Sequence, residues 1–461
     1  MNLEHTPQHD TLIIGAGAAG LAAGRMLAAA GGRVAILESR ERVGGRIFTR
    51  WINELGSARD LPIELGAEFI HGLPEETWAL VREAHIATYE LKGSRLTMAA
   101  GRLETQDAAQ NSGFDVLREL KIWARTQTSL RDMTFAQYLR LAQIDAPQAE
   151  AAAAYVEGFN AADQHVIGIA ALAKQQSAED AHQGDRIFRI PAGYETIPQL
   201  LAAGIANAGC PVFLNQKVER VVWSPGSVAV SGTDDQHRKF TIEGRRAIVT
   251  LPLGVLQAGV VDFEPIPSEV MSQAARMRMG AVLRVILVFR SRFWREDTWA
   301  IGDGKLKKEL RRLSFLFTPQ QVPATWWTPM PHRAPMLTGW VGGPGASRIQ
   351  ETLSASDPRA LLRECLSVLS KTFGVSETEL ERLLISWHWH DWNADEFARG
   401  AYSYVPAGAI DAPDNMTLPV EGTLYFAGEH TDTVGDWGTV HGALRSGLRA
   451  AGQVLGDTTF R

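Results

Sequence analysis

TLIIGAGAAGLAAGRMLAAAGGRVAILESR, residues 11–40, is the stretch that decides the fold. Residues 12–14 are a short apolar run that ends in Gly15-x-Gly17-x-x-Gly20. An Ala/Leu/Met-rich segment follows up to Gly31-Gly32, and a second apolar run, Val34–Leu37, ends in Glu38. The spacing predicts a strand, a tight turn, a helix and a second strand, with the acid about 20 residues past the glycines, where it would hold a ribose hydroxyl. The first glycine permits the turn, the second lets backbone approach a pyrophosphate, and the third lets helix and strand pack closely. Unpaired N–H groups and a partial positive charge at the helix N-terminus then face the phosphates. A lone GxGxxG is as consistent with glycine-rich packing, but the complete unit reads as α/β dinucleotide binding. Its candidate contacts are Gly15, Ala16, Gly17, Ala19, Gly20, Glu38, Ser39 and Arg40.

RERVGGRIFTR, residues 40–50, places Gly44 and Gly45 just after the acid, with Arg46 beside them. Such a turn admits close backbone approach next to a guanidinium able to bind phosphate, although a surface turn with a solvated arginine would read alike. The GxGxxG, Glu38, VGGRIFT (43–49) and IELGAEFIHG (63–72) together resemble the opening of the flavin-containing amine oxidase family, which includes monoamine oxidases, polyamine oxidases and lysine-specific histone demethylases. The resemblance implies an FAD cofactor, with Gly66, Ala67, Glu68 and Phe69 in the next flavin-contacting segment and Val218 at the adenine.

The far end agrees. GTLYFAGEHTDTVGDWGTVHGALRSGLRAAGQVL, residues 422–455, reads as an apolar strand over 424–427, then Gly428-Glu429, a loop, and an amphipathic helix opening at Thr439 and Val440. A helix N-terminus aimed at a flavin would stabilise the negative charge that develops on reduction. By resemblance Gly428 and Glu429 contact the ribityl–phosphate region, and Thr439 and Val440 the isoalloxazine. Phosphate-type elements at both ends of the chain suit the long FAD better than NAD.

Of the 461 residues 45% are hydrophobic and 21% charged, with net charge −6 and two cysteines without metal-like spacing. An acidic chain is poorly suited to nucleic acid or an anionic membrane. Neither a signal peptide nor an apolar run of membrane-spanning length is read, so the expected location is the cytoplasm. The expected fold class is α/β: a Rossmann-like FAD-binding domain from residues 8–80, 191–263 and 401–457, with an interleaved α+β substrate-binding domain from 81–190 and 264–400. The stretch 80–190 reads as largely helical, 149–174 included, and RAIVTLPLGVL (246–256) as strand-like.

SWHWHDWNADEFARGAYSYVPAG, residues 386–408, is dense in aromatic and ionisable groups. Strand parity would put His388 and His390 on one face, an incomplete ligand set, so no metal site is expected. A buried aromatic cluster is the plainer reading. The resemblance makes Trp392 a flavin neighbour and Tyr402 an aromatic wall of the substrate cavity, with Tyr404 in reserve; either tyrosine could equally pack in the core. Aromatic faces attract an arriving cation, but an amine must lose its proton before it can lose a hydride. His71 is the candidate group near that proton, or else an ordinary hydrogen-bonded histidine. Asp436 and Trp437 are expected at the entrance. Ala401 stands where covalent relatives carry a cysteine, which implies non-covalent FAD. Thr439 takes a second aromatic-wall position, leaving the cage to Trp437 or the tryptophans of TWWTP (325–329).

One residue breaks an otherwise apolar strand. In MGAVLRVILVF, residues 279–289, parity puts Arg284 on a face with Val282, Ile286 and Val288. It either faces the flavin, where many relatives carry lysine, or pairs with a carboxylate such as Glu68. The implied reaction passes a hydride from the carbon α to an amine (a polyamine, monoamine or amino acid) to flavin N5. The imine then hydrolyses, and O2 reoxidises the flavin to give H2O2. An FAD desaturase or dehydrogenase of the same fold, and a silent flavin-binding protein, are the alternatives.

Overall fold

The computed structural model describes residues 9–56, 60–106, 112–126, 132–295, 304–352 and 359–456. The stretch 1–8, read for targeting, and the outermost boundary residues 8 and 457 lie outside them.

An eight-stranded sheet is built on the opening unit. His9–Ile14 runs parallel to Val34–Leu37 on one side and to Lys239–Val249 on the other. Val212–Phe213 extends the sheet beyond Val34–Leu37, and Leu424–Phe426 joins Lys239–Val249, both in parallel. Ser227–Asp234 and Gln216–Ser224 continue it antiparallel. Residues 12–14, Val34–Leu37 and the end of Lys239–Val249 are apolar and buried because helices cover one face and a second apolar layer the other. Ile13, Ile36 and Ile248 face the helices Ala18–Ala29, Thr196–Asn207 and Val440–Leu455, while Leu12, Leu37 and Val249 face Leu253, Val270 and Phe426. The first and last helices touch because Gly447 leaves room: a Cβ there would lie 2.1 Å from the Ala19 carbonyl oxygen.

A seven-stranded sheet is centred on Val282–Phe289 and Met336–Gly342, with Leu384–Trp389 at one edge and the hairpin Ser94–Ala99/Arg102–Thr105 at the other. All eight residues of Val282–Phe289 are buried. Val285, Leu287 and Phe289 pack toward the helix Arg359–Phe373, and Ile286 and Val288 toward Ile52, Ile63 and Leu65. Tyr402–Tyr404 pairs with Arg278–Gly280. The fold is mixed α/β, with Rossmann-like and α+β parts interleaved along the chain. Among the described residues no helix is long and apolar enough to cross a membrane.

Three local expectations are corrected. The hairpin at 94–105 interrupts the stretch read as helical, since Leu313–Phe317 pairs with its first strand. The helix expected over 149–174 is two helices, Ala146–Asn160 and Ile169–Ala181. Between them Ala161 takes a left-handed φ of +50°, the Asp163 side chain accepts from the His165 N–H, and Gly168 and Ala407 exchange backbone bonds with the segment around residues 405 and 166. Polar side chains and tertiary backbone pairing here override helix propensity. Lastly, the strand ends at Val249 and Leu253–Gln257 is a short helix, because Pro252 cannot donate to a ladder but suits a helix start.

Candidate active site

A cavity of about 1490 Å³ runs between the two sheets, lined by both ends of the chain and by its middle. At one end lies the glycine turn. Gly15 has φ +106°, and a Cβ on Gly17 would meet no protein atom within 4 Å, so that backbone faces open cavity. Ala16 and Gly20 serve the turn from behind and do not line the cavity. The Ala16 N–H donates to Glu38 at 2.7 Å, and a Cβ on Gly20 would fall 2.0 Å from the Gly15 oxygen. Glu38 also accepts from the Arg40 N–H at 2.9 Å, while the Arg40 guanidinium holds Asp395 through bonds of 3.0 and 2.6 Å. Gly44 donates to the Ala16 carbonyl at 2.8 Å, which docks the second glycine turn on the first. Ala19, Ser39, Gly45 and Val218 complete this end, Val218 beside a β-bulge.

In the middle, Arg46 donates to Glu429 at 2.8 Å and to the Ala401 carbonyl at 2.9 Å. Glu429 is buried and accepts on its other oxygen from Ser403 Oγ at 2.6 Å and the Gly438 N–H at 2.9 Å. Burial alone would raise its carboxyl pKa; Arg46 and the surrounding donors outweigh that and hold it below the ordinary value. Trp392 donates its indole N–H to the Leu65 carbonyl at 2.9 Å. That places its ring beside Gly66, where a Cβ would lie 1.9 Å from the Arg46 oxygen. Thr439 is the N-cap of the helix Val440–Leu455: its hydroxyl accepts from the Gly442 N–H at 3.0 Å and donates to the Asp436 carbonyl at 2.7 Å. Gly428, Ala67 and Val440 line the cavity alongside.

Arg284 lies on the face that parity gives it. Its guanidinium is buried, pairs with Glu68 and donates to the Gly66 carbonyl. The other Glu68 oxygen meets Arg189 at 2.5 Å, and Trp327 donates to Glu68 at 3.0 Å. Arg284 thus has the Glu68 partner and also lines the cavity. Two guanidiniums share one carboxylate, and burial pulls both arginines down to about 10.

At the aromatic end, His71 stands edge-on to Phe69 and to Phe159, with ring centroids 6.0 and 5.6 Å apart. Burial, then the neighbouring His441 and His182, pulls it down to about 4, so it is neutral at physiological pH. Tyr402 donates its hydroxyl to the Phe159 carbonyl at 2.6 Å and packs on Gly438, where a Cβ would come within 2.8 Å of its ring. Tyr155 stacks on Phe159 at 5.3 Å. Tyr404 and Trp437 also reach the cavity. The TWWTP tryptophans divide: Trp327 lines the cavity, whereas Trp326 is core.

His388 and His390 do not converge. The strand ends at Trp389, so His388 meets Glu54 at 3.3 Å while His390 turns to Asp395 at 2.7 Å. Sequence reasoning missed a different cluster. Asp436 Oδ1 lies 3.1 Å from His182 Nε2 and 3.3 Å from His441 Nε2, and Arg445 donates to Oδ2 at 2.8 Å. The three ligand atoms lie within 4.8 Å of one another, but Arg445 already supplies the positive charge a metal would bring. Burial would push Asp436 up, yet His182, His441 and Arg445 hold it far below the carboxylate range. Glu179, on the helix Ile169–Ala181, was also missed. A Gln175–Glu179 pair one helical turn apart was its only local signal.

The chain matches the family of flavin containing amine oxidoreductases over residues 18–455. Lysine-specific histone demethylase 1 homolog 1 of Arabidopsis thaliana is 26% identical over 464 residues, which cover 97% of this chain and 52% of that protein. Its Oryza sativa subsp. japonica counterpart is 29% identical over 476 residues, covering 97% of this chain and 52% of that protein. The chain spans about half the length of these relatives. Among solved structures, wild-type putrescine oxidase bound to putrescine superposes with TM-score 0.79 at 21% identity, covering 98% of this chain and all of that one. Cyclohexylamine oxidase from Brevibacterium oxydans IH-35A has TM-score 0.79 at 20% identity, with 98% and 100% of the two chains covered. At such identities the likeness is one of fold. The match of the family across nearly the whole length is the stronger finding, and by it the chain belongs to the flavin-containing amine oxidoreductases.

Proposed function

We propose that the chain oxidises an amine (a polyamine, a monoamine or an amino acid) with a non-covalently held FAD, and that O2 is the electron acceptor. The observation that carries this reading is the continuity of one cavity from the Gly15–Gly17 turn and Glu38, past Arg46 and Glu429, to the Thr439-capped helix and the aromatic walls. FAD fits the residues present: Gly17 leaves the space a pyrophosphate needs, Glu38 ends the second strand, and Ala401 offers no thiolate for a covalent bond. A bound FAD would supply a hydride acceptor for the carbon α to nitrogen and pass the electrons to O2 as H2O2, with hydrolysis of the imine releasing the product.

The chain's own part is positioning and electrostatics. Tyr402, Phe159 and Trp327 offer ring faces to the amine. His71, neutral in its apolar surroundings, can accept a hydrogen bond from the amine and so orient it. The Glu68 carboxylate is taken up by Arg284 and Arg189, so that wall has no free counter-charge for an ammonium and suits the neutral, reactive amine. The N-terminus of the helix Val440–Leu455 contributes its dipole to charge that develops in the reaction. We also propose the two-domain division given above, with the larger sheet as cofactor platform, and a cytoplasmic small-molecule role without nucleic acid, on the acidic net charge of −6.

Amine-dependent O2 uptake with an equal yield of H2O2 tests the oxidase reading. Flavin reduced by amine without peroxide would replace it by the dehydrogenase. The demethylase relatives supply a second substrate: an N-methylated lysine is a secondary or tertiary amine open to the same oxidation.

A further inference from the structure

Most carboxylates that reach the cavity are answered by the protein. Glu38 takes two backbone N–H groups, Glu68 two guanidiniums, Glu429 an arginine and a hydroxyl, Asp436 two imidazoles and an arginine. Glu179 is different. Its Oε1 accepts from Gln175 Nε2 at 2.9 Å, and Gln175 is itself fixed by buried Asn160, whose amide donates to it at 2.6 Å. Among the described residues no lysine or arginine pairs with Glu179, and no donor reaches its other oxygen. Its charged neighbours are acids, Asp436 and Asp180, together with His182. Burial first, then Asp436, pushes its carboxyl up to about 7. A carboxylate placed this way costs the fold stability, which a cation arriving in the cavity would restore.

The path to it is aromatic. Tyr155 lies within electrostatic reach of Glu179 and stacks on Phe159, whose carbonyl accepts from Tyr402. Aromatic side chains therefore line the cavity from Tyr402 through Phe159 and Tyr155 toward Glu179, a wall along which a methylene chain packs well and a cation is tolerated. Elsewhere in the cavity wall Glu68 is already held by Arg284 and Arg189 and has no free carboxylate oxygen for a second cation. Arg95 also lines the cavity, but its guanidinium already lies 5.5 and 5.3 Å over the rings of Phe315 and Phe317.

We infer that Glu179 anchors a second, cationic nitrogen of the substrate, so that the preferred substrates are diamines or polyamines rather than monoamines or amino acids. This rests on the amine-oxidation reading and narrows it. One nitrogen is neutral and loses the hydride from its α-carbon; the other stays protonated at Glu179.

The test compares α,ω-diaminoalkanes with n-alkylamines of equal length and with basic amino acids, on holoenzyme of wild type, Glu179→Gln and Glu179→Asp. The wild type should favour diamines in kcat/KM by about tenfold to a hundredfold, the worth of one charge-assisted contact. Glu179→Gln should abolish that advantage through KM and leave monoamine oxidation unchanged; Glu179→Asp should restore part of it. Calorimetric binding of an n-alkyltrimethylammonium ion, which is not turned over and carries one charge, should weaken in parallel. Equal losses for monoamine and diamine, a Gln variant indistinguishable from wild type, or a preference for amino acids would overturn the inference while amine oxidation stood. A wild-type flavin that no amine reduces would remove the amine reading and this inference together.

Discussion

Arg284 and Glu68 form a buried ion pair at the wall of the cavity, and Arg189 takes the second oxygen of the same carboxylate. Glu68→Gln would leave two buried guanidiniums without the carboxylate they share, and among the described residues only the Glu64 carboxylate stays in electrostatic reach. The expected cost is about 3–5 kcal/mol, the usual result of breaking a buried pair from one side. A large fall in Tm would show it. Arg284→Lys keeps the charge but loses the fork that reaches both Glu68 and Gly66, and should cost less.

Two glycines separate cofactor binding from folding. A Cβ on Gly17 meets nothing, so Gly17→Ala should leave the stability of the cofactor-free protein within about 0.5 kcal/mol of wild type. It should weaken FAD binding by tenfold or more, read by quenching of flavin fluorescence. Gly447→Ala drives a methyl into the Ala19 carbonyl and should destabilise the protein with or without FAD. Equal FAD affinity in Gly17→Ala and wild type would argue against a cofactor on that turn.

These glycines mark how far the sequence could be read. The turn at Gly15–Gly20 and the helix after Thr439 are local devices whose chemistry lies within about 30 residues, and period-two alternation alone gives Arg284 its face. Thr439 is a partial case: read by resemblance as a substituted wall position, it spends its hydroxyl capping the helix. Glu179 and His182 were illegible because nothing near them in sequence marks them. Asp436 meets His182 from 254 residues away, and an ordinary-looking helix carries Glu179. The break at Ala161 was hidden likewise, since backbone pairing with a distant segment causes it.

Glu179 also predicts a pH signature in stability. Its folded pKa, about 7, lies above the unfolded value of 4.5, so the folded state holds the proton more tightly. That contribution is fully present below pH 4.5 and is lost as pH rises through 7. Glu179→Gln should therefore be more stable than wild type at pH 8 by about 1–3 kcal/mol after allowance for solvent, seen as a higher Tm, and not at pH 4.5. A constant difference across that range would contradict the burial argument.

Diamine binding should follow the same ionisation. KM for a diamine should fall as pH rises through about 7 in wild type and lose that limb in Glu179→Gln. His182, whose pKa Asp436 and Glu179 both lift against burial, titrates in both proteins and should titrate lower in Glu179→Gln, so the Glu179 limb is the one that disappears and the His182 limb the one that moves down.

His71 should contribute no limb near pH 6.5, because burial holds it neutral down to about 4. His71→Asn should slow flavin reduction at every pH without moving the profile. A shifted profile would show that His71 titrates in the working range.

The visible spectrum of the purified, FAD-loaded protein, followed without oxygen during titration with amines, separates an amine-oxidising flavoenzyme from a silent flavin binder. Diamines and polyamines should bleach the flavin absorbance in a single step. A protein that takes up no FAD, or a bound flavin that no amine bleaches, would contradict the amine-oxidation reading.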